Sequence, residues 1–286
     1  MYERLLVPLD GSELAEGALP FVEELARKFS SEIILLTACE PGDYMERPLR
    51  AYLEKREEEF QSLGLNASPV VVQGDAADEI LEFSEMSNIG LIAISTHGRS
   101  GISSRWPLGS IANKVVQGSS IPVLLIKSEK LETVYSQRGM EKILVPLDGS
   151  KLAEVSLPYV EELAKVMGSE VTLIRVIEPI DSMARPFIGS MESDLKAEEE
   201  KRAVAYLKEK EKELRDKGVT VKAESLHGKA AEEVVKYADD KSVSLIVQAT
   251  HGYSGITKWL FGVITTKIVE EASQPILLVR PKVENE

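Results

Sequence analysis

RLLVPLDGS at residues 4–12 and KILVPLDGS at residues 142–150 are one segment written twice, 138 residues apart. The copies stay in step through LAEGALPFVEELA (14–26) and LAEVSLPYVEELA (152–164). They meet again at STHGRSGI (95–102) and ATHGYSGI (249–256), now 154 residues apart. The closing segments IPVLLIK (121–127) and QPILLVR (274–280) match at an offset of 153. The second copy therefore carries a larger central insert, and the first carries one extra loop residue. Self-similarity on this scale organises the whole chain. At 286 residues, each half is long enough to bury a core of its own. Polar SEKLETVYSQRGM (128–140) reads as a linker. The expected division is a first domain at 1–128, a linker at 129–140 and a second domain at 141–286.

Working outward from the opening segment, short apolar β-branched runs alternate with amphipathic stretches. In the first half strands are expected near 3–9, 32–39, 68–73, 90–96 and 122–127. Helices are expected near 12–29, 48–63, 75–87 and 109–118. The second half repeats the strands near 141–147, 170–177, 219–225, 243–250 and 275–280, with a long charged helix near 190–217. Runs such as Leu91-Ile92-Ala93-Ile94 suit strands covered on both faces. Alternating β and α units predict an α/β fold, with one doubly wound parallel sheet per copy. Pro20 and Pro158 fall inside the first helix of each copy and predict a kink there.

The composition excludes several classes of function. Formal net charge is −13, which disfavours nucleic acid and anionic membrane as principal partners. No apolar run reaches the length of a membrane span, and the first residues do not read as a signal peptide. The single cysteine, Cys39, follows Ile33-Ile34-Leu35-Leu36 and reads as a buried strand residue. With no disulfide possible within the chain, a reducing cytoplasm is the expected location.

In an open parallel sheet, ligands sit beyond the carboxyl ends of the strands where strand order reverses. Asp10 and Asp148 end the first strand of each copy. The loop His97-Gly98-Arg99-Ser100-Gly101 follows the fourth strand, and Gly109-Ser110 opens the next helix. The second copy offers His251-Gly252-Tyr253-Ser254-Gly255 and Gly262-Val263. A helix N-terminus presents free N–H groups and positive potential, and glycines let the backbone approach an anion. One helix end contributes only about 0.3–2 kcal/mol, whereas micromolar binding needs about 8 kcal/mol. Several donors and a base pocket must therefore act together. The same residues equally suit plain turn and cap roles, with Asp10 and Ser110 as helix caps. No G-x-x-x-x-G-K-[ST], no G-x-G-x-x-G after the first strand and no G-x-S-x-G elbow occurs, so Ser12 and Ser150 are poor nucleophiles. His97, His227 and His251 stand apart in sequence, and no metal site is expected.

Taken together, VPLDGS, THGRSG, the Gly-Ser helix start and the Pro-Val-Leu-Leu-Ile closing strand make the chain resemble a tandem universal stress protein. The resemblance covers nearly all of both halves. It implies five-stranded, adenine nucleotide alpha hydrolase-like sheets of strand order 3-2-1-4-5. It implies pairing of the two copies through strands 122–127 and 275–280, and a homodimer as a further option. ATP-binding members of that family carry G-x2-G-x9-G-[ST]. Here the first copy reads Ser95-x2-Gly98-x10-Gly109-Ser110, and the second reads Ala249-x2-Gly252-x9-Gly262-Val263. The resemblance places Pro8, Asp10 and Ala38 beside base and ribose in the first copy, and Gly98, Gly109, Ser110 and Ile111 at the phosphates. In the second copy Pro146, Asp148 and Val176 take the former role, and Gly252, Gly262, Val263 and Ile264 the latter. Arg99, Arg105 and Lys258 are solvated loop charges that could add to the phosphate field. The implied ligand is ATP, ADP or AMP, with Mg2+ accompanying the phosphates, and the implied role is regulatory, in stress tolerance.

Three functions compete on these grounds: a non-enzymatic nucleotide binder, a protein-interaction module that needs no nucleotide, and a slow ATPase working through Asp10, Asp148 and the two THG histidines. The first copy, which keeps Ser110, is the better phosphate site. Gly98→Val is accordingly expected to weaken binding more than Gly252→Val.

Overall fold

The computed structural model describes residues 1–42, 44–99, 108–127, 139–179, 191–250 and 262–281. Most of the expected linker and the Gly252 loop lie outside the described residues. The first repeat runs β1 (Arg4–Pro8), α1 (Glu13–Glu16), α2 (Leu19–Phe29), β2 (Glu32–Cys39), α3 (Glu46–Ser62), β3 (Asn66–Gln73), α4 (Ala76–Met86), β4 (Leu91–Ser95), α5 (Ser110–Gly118) and β5 (Val123–Ile126). The second runs β6 (Lys142–Pro146), α6 (Lys151–Glu154), α7 (Leu157–Met167), β7 (Glu170–Ile177), α8 (Glu192–Asp216), β8 (Thr220–His227), α9 (Ala230–Asp240), β9 (Leu245–Ala249), α10 (Val263–Glu271) and β10 (Ile276–Val279).

Strand order is β3-β2-β1-β4-β5 in the first repeat and β8-β7-β6-β9-β10 in the second. Pairing is parallel throughout the first repeat and along β8-β7-β6-β9. Central strands are apolar because helices cover both faces: Leu5, Leu6, Val7, Ile33 and Leu35 are buried, as are Leu144, Val145, Val171 and Leu173. By contact the chain forms two compact units. One is built mainly on Met1–Gly139 together with Pro275–Glu286, the other mainly on Met140–Thr257. The closing strand β10 belongs to the first of these, where it runs antiparallel to β5 with Ile276 opposite Leu125 and Leu278 opposite Val123. Beyond that strand, Arg280 Nη1 donates to the Gln117 carbonyl at 2.7 Å.

The proline prediction needs correcting. Neither Pro20 nor Pro158 kinks a continuous helix; each sits in the first turn of a new helix, after a break at 17–18 and 155–156. At that place the missing N–H would have had no partner, so proline starts a helix there without loss. Cys39 is buried at the end of β2, as expected, its Sγ 3.6 Å from the Val72 carbonyl.

One polar cluster recurs in both repeats and ties each long helix to the short helix that follows the first strand. Tyr52 Oη donates to Glu16 Oε1 at 2.8 Å, and Arg56 Nε lies 3.4 Å from the same oxygen. Their counterparts are Tyr206, Glu154 and Lys210, with Lys210 Nζ 3.5 Å from Glu154 Oε2. Burial, then the neighbouring carboxylate, raises the pKa of both phenols. The cluster joins α1 to α3. Tyr52→Phe is expected to lower stability by about 1 kcal/mol, the net worth of one hydrogen bond, measured as a fall in urea midpoint at unchanged m-value.

Candidate functional site

Beyond the carboxyl ends of β1 and β4, where the strand order turns, each repeat holds a cavity. The first encloses about 350 Å³ and the second about 560 Å³.

Asp10 is held on several sides in the first cavity. Its Oδ1 accepts from Ser12 N at 3.0 Å and from Ser12 Oγ at 2.6 Å. Its Oδ2 accepts from Arg99 N at 2.5 Å, and Arg99 Nη2 donates to the Asp10 carbonyl. Ser12 Oγ in turn caps α1, accepting from Ala15 N at 3.2 Å. Burial pushes the Asp10 carboxyl up, but the Ser12 hydroxyl and the Arg99 and Ser12 amides outweigh it and hold the group below the usual carboxylate range. The sign for stability follows. A depressed native pKa contributes stability in full above the unfolded value, and that contribution fades as pH falls through the native value. The stability difference between the wild type and Asp10→Asn is therefore expected to stay constant from neutrality to about pH 5 and to shrink in stronger acid, as read from urea melts across pH.

Gly98 faces this carboxylate directly. A Cβ there would stand 3.1 Å from Asp10 Cγ and closer still to Oδ2. Across the cavity, Gly109 N donates to the Thr96 carbonyl at 2.7 Å, and α5 starts at Ser110 without a side-chain cap among the described residues. Its first-turn amides are thus open to a ligand. Ser95 is 5% exposed, and its Oγ has no hydrogen-bond partner among the described residues. His97 Nδ1 and Thr96 Oγ1 are 3.2 Å apart.

The cavity wall brings together Pro8, Asp10, Ala38, Gly98, Gly109, Ser110 and Ile111, with Arg99 beside them. It also includes residues the sequence did not single out: Leu36 and Thr37 from β2, Leu49 from α3, Ala76 and Ile80 from α4, and Ser95. Pro146, Asp148, Val176, Gly262, Val263 and Ile264 line the second cavity in the same way. Asp148 Oδ1 accepts from Ser150 N at 2.8 Å. Gly252, Arg105 and Lys258 lie outside the described residues. The second wall adds Arg175, Glu178, Glu199 and Gln248. Arg175 and Gln248 take the places of Thr37 and Ile94 at the repeat offsets of 138 and 154. Alternation along β7 from the expected Val176 would have turned Arg175 to the opposite face, and nothing in the charged run of α8 singles out Glu199. Among the described residues no group of three or more His, Cys, Asp or Glu could hold a metal ion, and no helix is long and apolar enough to cross a membrane.

Comparison with known proteins places these features in context. The sequence profile of the universal stress protein family matches residues 1–127 and again 139–280. A universal stress protein of Methanocaldococcus jannaschii is 33% identical over 147 residues, covering 50% of this chain and 85% of its own length. One from Mycolicibacterium smegmatis is 22% identical over 297 residues, covering 97% of each chain. The crystal structure of a universal stress protein from Archaeoglobus fulgidus covers 98% of this chain and 99% of its own, with a TM-score of 0.72 at 18% identity, a likeness of fold.

Proposed function

Because the chain belongs to the universal stress protein family, we propose that it is a non-enzymatic regulator of the stress response that binds an adenine nucleotide, ATP, ADP or AMP. The observation that carries this reading is the first cavity. A carboxylate fixed by Ser12 and Arg99 stands opposite the N-terminus of α5, which has no side-chain cap among the described residues, across a space lined by Pro8 and Ala38. The carboxylate suits ribose hydroxyls, which donate to it. The α5 amides and Ser110 suit phosphate oxygens, which accept. Leu36, Ala38 and Ile80 supply apolar surface for a base.

Asp10 is already held by four hydrogen bonds through its side chain and carbonyl. Mg2+ would therefore enter with the phosphates and not as a resident ion. We place the protein in the cytoplasm and assign residues 1–128 and 141–286 to its two domains. The same reading includes pairing of the two domains through strands 122–127 and 275–280; a homodimer of the tandem chain would need a further surface.

The test is thermal. Nucleotide at 100 times Kd should stabilise the chain by about 2.7 kcal/mol, a rise in Tm easily read by calorimetry. An unchanged Tm at millimolar ATP, ADP and AMP would refute nucleotide binding. Mass spectrometry of small molecules released from freshly purified, denatured protein would identify the ligand carried.

A further inference from the structure

The two cavities occupy the same place in the repeat, yet their walls differ in chemistry. Among the described residues, the first wall sets one carboxylate, Asp10, against one guanidinium, Arg99. The second sets three carboxylates, Asp148, Glu178 and Glu199, against the single guanidinium of Arg175. That guanidinium is already engaged: Arg175 Nη2 lies 2.7 Å from Glu199 Oε1 and its plane sits 5.7 Å over the Tyr206 ring. The hydroxyls the first cavity offers at Ser95 and Ser110 are replaced by Ala249 and Val263. Among the described residues, a polyphosphate entering the second cavity would meet excess negative charge.

Gln248 supplies the opposite signal. It lines the second cavity on β9 and is 4% exposed, and its Nε2 has no hydrogen-bond partner among the described residues. A buried donor left without an acceptor is unfavourable by itself, and its first-repeat counterpart, Ile94, carries no such group. An acceptor brought by a ligand would satisfy it.

Taking the nucleotide reading of the first cavity as given, we propose that the second cavity is a separate site for an uncharged, nucleoside-sized ligand that offers a hydrogen-bond acceptor to Gln248. Glu178 and Glu199 reject phosphates, so the tandem chain reads two different ligands with one fold. The Arg175–Glu199 pair, tied to α8, forms the side of the site.

The test uses the full chain with adenosine and ATP as probes, by calorimetric titration. In a Gly98→Val background, which blocks the first cavity, adenosine is expected to bind at least about tenfold more tightly than ATP. Raising salt from 50 to 500 mM should narrow that gap by screening the carboxylates, leaving adenosine affinity unchanged. Adding Gln248→Leu should weaken adenosine about tenfold while holding or raising the Tm of the empty chain, a readout that separates loss of the acceptor contact from misfolding. The proposal is overturned if the Gly98→Val chain binds ATP as well as adenosine, binds neither, or binds adenosine equally with and without Gln248. Failure of the nucleotide reading looks different: the wild-type chain would take up no ATP, whatever the second cavity does with adenosine.

Discussion

Replacing Gly98 by valine is expected to lower affinity for adenine nucleotide at the first cavity by about 100-fold, or ~2.7 kcal/mol. The added Cβ would fall 3.1 Å from Asp10 Cγ and nearer to Oδ2. That carboxylate cannot simply swing away, because Ser12 and the Arg99 amide hold both oxygens. Either Asp10 loses its Arg99 partner or the loop carrying Gly98 withdraws from the cavity. Both outcomes separate the carboxylate from the α5 amides that it must face across a ligand. Titration calorimetry with ATP reads the effect. A Kd within threefold of the wild type would show that the Asp10–Gly98 approach does not shape the site.

Gly90→Val is expected to destabilise the fold by about 3 kcal/mol, at the upper end of the usual range for overpacking. Gly90 N donates to the Arg4 carbonyl at 2.9 Å, which ties the start of β4 to β1. A Cβ at that position would sit 2.9 Å from the Met1 carbonyl carbon and closer to its oxygen. Met1 cannot give way freely, since the next residue, Tyr2, is 1% exposed and packs its ring 4.8 Å from that of Phe29. The second repeat makes the comparison within one molecule. Its counterpart is Ser244, whose N makes the matching bond to the Lys142 carbonyl and whose hydroxyl bonds the Lys142 backbone. Ser244→Gly should be much milder, about 1 kcal/mol for those hydroxyl bonds. Chemical denaturation of both variants decides the matter, and equal losses would contradict the crowding argument.

Much of the fold can be read from the repeated VPLDGS opening. Strands covered on both faces carry continuous apolar runs, so the bounds of β2 and β7 coincide with those expected, Glu32–Cys39 and Glu170–Ile177. The turn residues of the first cavity are legible for a related reason: Asp10, Gly98 and Gly109 end or begin elements, and those junctions converge at the crossover of a parallel sheet. Arg175, Glu199 and Gln248 are different. Each lies inside a regular element, where its type says nothing about which neighbour it faces. Glu199 in particular is one carboxylate in a helix laced with ion pairs such as Lys196–Glu192 and Arg202–Glu198. Only packing distinguishes it from them. Pro20 misled for a local reason, because residue type alone does not separate the first turn of a helix from its middle.

The antiparallel seat of Ile276–Val279 on Val123–Ile126 bears on any attempt to work with half the protein. A polypeptide ending near residue 139 would retain every residue that lines the first cavity. It would nevertheless leave the outer rim of Val123–Ile126 with open amides and carbonyls, a template for another chain. Such a fragment should self-associate on sizing columns, and a synthetic peptide spanning 274–281 should compete with that association. Expressing one repeat alone would then measure stickiness along with ligand affinity.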